Sequence, residues 1–250
     1  MTERVPKHKY VRLSNLNRIQ GTPSNFSVDM SNDIDLHVCS SMWLQMISMP
    51  HTFYNITNRN NILKVEYNGT RTVTVLEGFY SVTQLSKIIE TQLNALITPD
   101  IVTIVLNINT SKLTFTFTNP NAQFLISGST MSPFIGITQD SLPNIAVYTA
   151  PNIPNLSGPR TVFLHSKDIN LGNTTLSTNR NVSAFASIPI TVPYLGNIVY
   201  ESLGSEIDLI NLQGLKDISN IGIKVRASDG RILELGENHE LIIVLKVFYQ

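Results

Sequence analysis

Three residues, Asp33, Asp35 and His37, stand at i, i+2 and i+4. On a strand that spacing puts two carboxylates and an imidazole on one face, a set that can seat a divalent metal. Asp33, however, falls in "SND", and an Asx-rich turn entering a strand accounts for the triplet without a ligand. The other chemistry-bearing residues are as sparse. Cys39 is the only cysteine, which excludes an internal disulfide and a cysteine metal cluster. A nucleophile pairing Cys39 with His165 can be drawn, but both lie in apolar strand-like stretches, where a buried cysteine is ordinarily structural. His239 and Glu240 are neighbours and point to opposite faces of a strand, so "HE" is no zinc motif. No glycine-rich phosphate loop is present. Trp43 and the tyrosines are the residues that would stack on a sugar or a base. The expectation is a protein with no catalytic residue, no metal and no cofactor.

Composition agrees. Of 250 residues only 14% are charged, with formal net charge 0, and polarity comes from Asn, Ser and Thr. A surface so poor in charge suits a protein that lives packed against others. No stretch reaches the ~18 apolar residues of a transmembrane helix. The N-terminus is positive without an apolar run, so no signal peptide is expected. The seven Asn-x-Ser/Thr sequons then follow from composition rather than glycosylation.

The elements that would hold such residues are mostly strands. "FSVDM" (26–30), "LHVCSSMWLQMISM" (36–49), "RTVFLHS" (160–166), "AFASIPI" (184–190), "NIVYE" (197–201) and "NIGIKVRAS" (220–228) read as strands. Two hairpins stand at 61–78, turning on Asn68-Gly69, and at 101–119. Residues 127–160 and 170–183 read as loops, and Asp229-Gly230 turns the chain into "RILEL" (231–235). One segment changes period: in 81–97, Val82, Leu85, Ile88, Ile89, Leu93 and Leu96 recur at helical spacing behind a Ser81/Gln84 capping box. About ten strands, one helix and no βαβ rhythm predict an all-β sandwich, jelly roll or barrel.

Both ends of the chain carry a signal. Residues 1–20 bear Arg4, Lys7, Lys9, Arg12 and Arg18 against Glu3 alone and show no core period, so they read as a basic arm, either a solvated tail or one that contacts neighbours or the phosphates of nucleic acid. The last strand, "LIIVLKVFY" (241–249), is apolar on both faces. Leu241, Ile243, Leu245, Val247 and Tyr249 share one face, and Ile242, Val244, Lys246 and Phe248 share the other. Leu241, Ile243, Leu245 and Val247 are expected in the core. Ile242, Val244 and Phe248 are then candidates for contact with the helix, a loop or a neighbouring subunit.

Six stretches in order resemble the minor capsid (penton) proteins of virophages, polinton-like viruses and related large DNA viruses. They are "NRIQGTPSNFSVDM" (17–30), "MPHTFYNITNRNN" (49–61), "VTVLEGFYSVTQLSKIIETQLNA" (73–95), "PNLSGPRTVFLHSKDI" (154–169), "VPYLGNIVYE" (192–201) and "IKVRASDGRILELGENHELIIVLKVFY" (223–249). The resemblance implies a single jelly roll of two packed antiparallel sheets with one inserted helix, spanning 21–250 behind the arm. It implies a structural protein of the virion, five copies at each icosahedral vertex, meeting a major capsid protein with a double jelly roll, with no cofactor and no enzymatic activity. It leaves no spare length for a large upper domain. The alternative from a different class is a glycan- or receptor-binding β-sandwich module.

Overall fold

Alternating apolar residues define the strands, and the partner of each strand decides what the fold is. In the computed structural model, which describes residues 7–30, 39–166, 168, 174–177, 180–202, 210–211 and 220–249, the chain forms two compact units. The first joins residues 1–53 to 159–250, and the second is 54–158.

The first unit holds eight principal strands: β1 (His8–Ser14), β3 (Asn25–Asp29), β4 (Cys39–Pro50), β11 (Thr161–His165), β14 (Ala186–Pro189), β15 (Asn197–Glu201), β17 (Asn220–Arg226) and β18 (Ile242–Tyr249). One antiparallel sheet runs β1-β18-β4-β15, and the short β16 (Ile210–Asn211) also pairs with β4. The other runs β14-β11-β17-β3-β2, with β2 (Gln20–Thr22) at its edge. Counting the eight strands in chain order, the sheets read first-eighth-third-sixth and fifth-fourth-seventh-second. That interleaving is a jelly roll. The final strand therefore lies between the first and third strands of its sheet, not at an edge. Leu241, Ile243, Leu245 and Val247 are fully buried, and they pack with Val11, Leu13, Ile47, Ile223 and Val225 in one core. The expected inward set is the observed one.

The second unit contains β5 (Ile62–Glu66), β6 (Thr70–Thr74), α1 (Val82–Leu96), β7 (Val102–Leu106), β8 (Leu113–Phe117), β9 (Gln123–Leu125) and β10 (Val147–Thr149). Its sheets run β6-β5-β9 and β10-β8-β7. The β5–β6 turn uses Asn68 at φ 48° and Gly69 at φ 100°, as Asn-Gly in a primed turn requires. The capping box is formed: the Ser81 side chain accepts from Gln84 N, and the Gln84 side chain accepts from Ser81 N. Leu85, Ile89 and Leu93 then bury against Phe115, Phe117 and Phe124 in a core separate from the first.

Several expectations meet a different arrangement. Residues 1–20 are not an arm over the described span. His8–Ser14 pairs along its whole length with β18, from His8 opposite Phe248 to Ser14 opposite Ile242. The physical reason is Val11 and Leu13, which point into the core while their basic neighbours face out. Instead of one domain over 21–250, a second unit of its own is inserted between β4 and β11, so the chain does have length for an additional domain. Helix α1 packs on β7 and β6 within that unit. The polar stretch 170–183 includes the hairpin β12 (Thr174–Ser177) and β13 (Arg180–Ser183). Asp229-Gly230 turns the chain as expected, but 231–235 contributes only an isolated bridge, Arg226 with Ile232.

Candidate assembly surfaces

The site is built on the outward face of the β18 sheet. Register sets its rows. Tyr10 on β1 stands beside Lys246 on β18, which stands beside Trp43 on β4. The next row reads Arg12, Val244, Met46 and Glu201, and the next Ser14, Ile242, Ser48 and Val199. The β18–β4 register shifts between Val244 and Leu245, so Gln45 is the extra residue of a bulge. Gln45 Oε1 there accepts the Trp43 indole N–H at 3.1 Å.

Lys246 is the centre of an aromatic group. Its Nζ lies 4.9 Å from the Trp43 ring centroid, 5.3 Å from Phe248 and 5.8 Å from Tyr10. Trp43 and Phe248 meet edge to face at 4.9 Å, and His8 stands 5.5 Å from Tyr10 and 6.1 Å from Phe248. The long lysine stem covers apolar surface while three rings solvate its ammonium group. The candidates Ile242, Val244 and Phe248 are thus on this face, all half-buried. The sequence pattern put these three on one face of the strand. It did not join Tyr10 and Trp43 to them, because their partnership with Lys246 comes from strand register and has no local spacing.

The candidate basic contacts separate. Arg4 lies outside the described residues. Lys7 and Lys9 are exposed at the outer end of β1. Arg12 pairs with Glu240 at 3.2 Å, and Ser14 Oγ donates to the same carboxylate at 2.9 Å. Arg18 pairs with Glu237 at 2.5 Å and donates to the carbonyls of Asn15 and Gly21. Two of the five bases therefore tie the start of the chain to the loop entering β18. Asn15 completes that tie: fully buried, it donates to the His239 carbonyl at 2.9 Å and accepts from Leu241 N at 2.8 Å.

A second feature lies at the β15 edge. The loop 192–196 is held by His51 through three hydrogen bonds: His51 N to the Gly196 carbonyl at 2.8 Å, Leu195 N to the His51 carbonyl at 2.8 Å, and His51 Nδ1 with the Val192 carbonyl at 3.0 Å. The buried imidazole sits among the rings of Phe53 and Tyr194. Leu195 is thereby fixed at φ 69°, a region unusual for a residue bearing a Cβ.

The chemistry considered from sequence is not assembled among the described residues. Asp33, Asp35 and His37 lie outside them. Cys39 is buried in the jelly-roll core on β4. His165 lies on β11 of the other sheet, on the opposite side of its strand from the core residue Leu164. No group of three or more His, Cys, Asp or Glu that could hold a metal occurs among the described residues, and no helix there is long and apolar enough to cross a membrane. In the second unit, burial and the hydrogen bond to Asp100 push the Tyr67 hydroxyl up to about 12. Asn119 holds the same carboxylate, so this is a closed structural pair.

No protein-family profile matches the sequence, and no curated protein matches it. Among solved structures, the fold is similar to the crystal structure of the selenomethionine-labelled mavirus penton protein, at 13% identity and a TM-score of 0.59. The match covers 98% of this chain and 100% of that one, so it takes in the inserted unit as well as the jelly roll.

Proposed function

We propose that this chain is a minor capsid protein that forms the pentameric vertex of an icosahedral DNA virus. The observation that carries the reading is the pairing of a jelly roll with an inserted unit between β4 and β11, matched over its full length by a penton protein. A penton role is structural: the work is binding neighbours, not turnover. In this reading Ile242, Val244 and Phe248 lie against a neighbouring capsid subunit. That accounts for a last strand that is apolar on both faces, since the jelly-roll core can cover only one of them. Lys7 and Lys9 face other capsid proteins or the genome. The virion, assembled inside the infected host cell, is the place of action.

The test is co-expression with a double-jelly-roll major capsid protein. Particles whose fivefold vertices carry this chain in five copies support the reading. Particles that close equally well with the chain left in solution overturn it. A glycan array on the purified chain checks the alternative binding-module reading through Trp43, whose ring already carries Lys246 and Phe248.

A further inference from the structure

In the jelly roll, six large apolar side chains are exposed among the described residues: Tyr10, Leu16, Ile19, Leu195, Val199 and Ile232. Their placement is not random. Tyr10, Leu16 and Ile19, each 52–60% exposed, lie on β1 or on the link from β1 to β2. Leu195 and Val199, at 72% and 55%, lie on β15 or on the loop from β14 into it. Strands β1 and β2 are edge strands of the two sheets, and β14 and β15 are the opposite edge strands. Five of the six thus lie along two opposite edges of the sandwich, and Ile232 stands apart beside β17.

Charge divides the same way. Lys7, Lys9 and Arg12 stand on or beside β1, and the Arg12 side chain remains 63% exposed beside Glu240. The charged side chain of β15 is Glu201, exposed. Leu195 adds a sign of purpose: the His51 hydrogen bonds hold a bulky residue in a left-handed conformation and keep its side chain in solvent. Strain of that kind persists only where the surroundings enforce it.

We infer that the β14–β15 edge of one copy docks on the β1–β2 edge of a second copy of this chain, with Leu195 and Val199 set against Tyr10, Leu16 and Ile19, and Glu201 set against the basic residues of β1. Two different patches on opposite edges make a heterologous, head-to-tail contact, the kind that closes into rings. An isologous dimer would need one self-complementary patch. The inference rests on the self-assembling reading above and names the surfaces that would carry it. The Ile242 and Val199 row makes the β15 edge continuous with the outward face of the β18 sheet.

The experiment measures the native mass of the full chain and its sedimentation across concentration. Leu195→Gly removes the knob, and glycine adopts the positive φ without strain, so the melting temperature should hold. Ile19→Ser breaks the opposite patch. Each variant alone should associate at least about tenfold more weakly than the unaltered chain, since a few apolar anchors dominate such contacts. An equimolar mixture has one intact junction per pair and two broken ends, so it should give a one-to-one heterodimer and nothing larger. A monomeric unaltered chain, unchanged assembly of Leu195→Gly, or a mixture that stays monomeric each overturns the inference. Rings that break as described while the chain stays out of particles would leave the inference standing and remove the capsid reading. Unchanged rings of Leu195→Gly that still enter particles would do the reverse.

Discussion

Strand β7 of the inserted unit and strands β1 and β15 of the jelly roll are sheet edges treated in opposite ways. In the inserted unit, β7 is an edge strand, and helix α1 closes it with side chains. Asn94 accepts from Val102 N at 2.6 Å and donates to the Val102 carbonyl at 3.1 Å, and Glu90 accepts from Ile104 N at 2.8 Å. Open strand edges are templates for pairing with other chains, and covering one from within is a standard protection. In the jelly roll, β1 pairs only with β18 and β15 only with β4 among the described residues. Both edges carry exposed apolar side chains. At β7 the inserted unit completes its own hydrogen bonding, while β1 and β15 pair on one side only among the described residues.

The contrast breaks most visibly at the N-terminus. Removing residues 1–14 deletes β1, unburies the partners of Val11 and Leu13, and exposes β18 as a new edge. The expected result is loss of the jelly roll's cooperative unfolding transition, with a separate transition from the inserted unit retained. A truncated chain that keeps both transitions would show that the first strand is dispensable and that 8–14 behaves as an arm after all.

Within β18 the two faces should differ. Ile243 is fully buried, so Ile243→Ala should cost about 2–5 kcal/mol. Phe248 is half-buried, and Phe248→Ala in the isolated chain should cost about 1 kcal/mol or less, since most of its surface loss would be felt only in an assembly. Denaturant unfolding of the monomer checks both. Equal costs would mean that the outward face is filled from within the chain.

How much of this was legible in sequence depended on where each residue's partner lay. Helix α1 was legible because its signals are local: Ser81 and Gln84 are three residues apart, and the apolar positions repeat every turn. Asn68-Gly69 was legible for the same reason. Leu96, counted with the apolar stripe, instead ends 39% exposed in the last turn, where the stripe leaves the core. Strand β1 was missed because "HKYVRLS" offers only Val11 and Leu13 to the core, and its exposed bases gave the segment the charge pattern of a tail. The insertion was missed because both units share the same Asn-, Ser- and Thr-rich composition, and contacts rather than composition divide them. The Lys246 group joins three strands that are distant in sequence. No spacing rule brings Tyr10, Trp43 and Lys246 together before the register is known.

The closure of β7 rests on one asparagine at Val102. Asn94→Ala would leave the buried Val102 N–H and carbonyl without their side-chain partners, at a cost of about 1–3 kcal/mol to the inserted unit. The jelly-roll transition should not move. The open edge should also make the variant associate through β7, which light scattering at rising concentration would detect. A variant as stable and as monomeric as its parent would show that the helix side chains are ornament and that the edge needs no cover.

The smallest effect is the pH dependence of the same closure. The Ile104 N–H, and then Lys87, hold the Glu90 carboxyl below its ordinary value of 4.5. A carboxyl whose folded value lies below its unfolded one stabilises the fold fully above the unfolded value. That contribution is lost as pH falls through the folded value, because both states are then protonated. The inserted unit should therefore lose the Glu90 contribution below about pH 4.5, while Glu90→Gln keeps an amide oxygen to accept from Ile104 N but cannot titrate. Lys87 is 73% exposed, so losing its charge pair should cost the variant less than about 1 kcal/mol at neutral pH. Hydrogen exchange at the Ile104 amide reads this locally, whichever unit unfolds first. The gap in protection between parent and variant should close as pH falls from about 6 to about 3. A gap that stays constant over that range would mean that the charge on Glu90 contributes nothing and that its oxygen alone holds the edge shut.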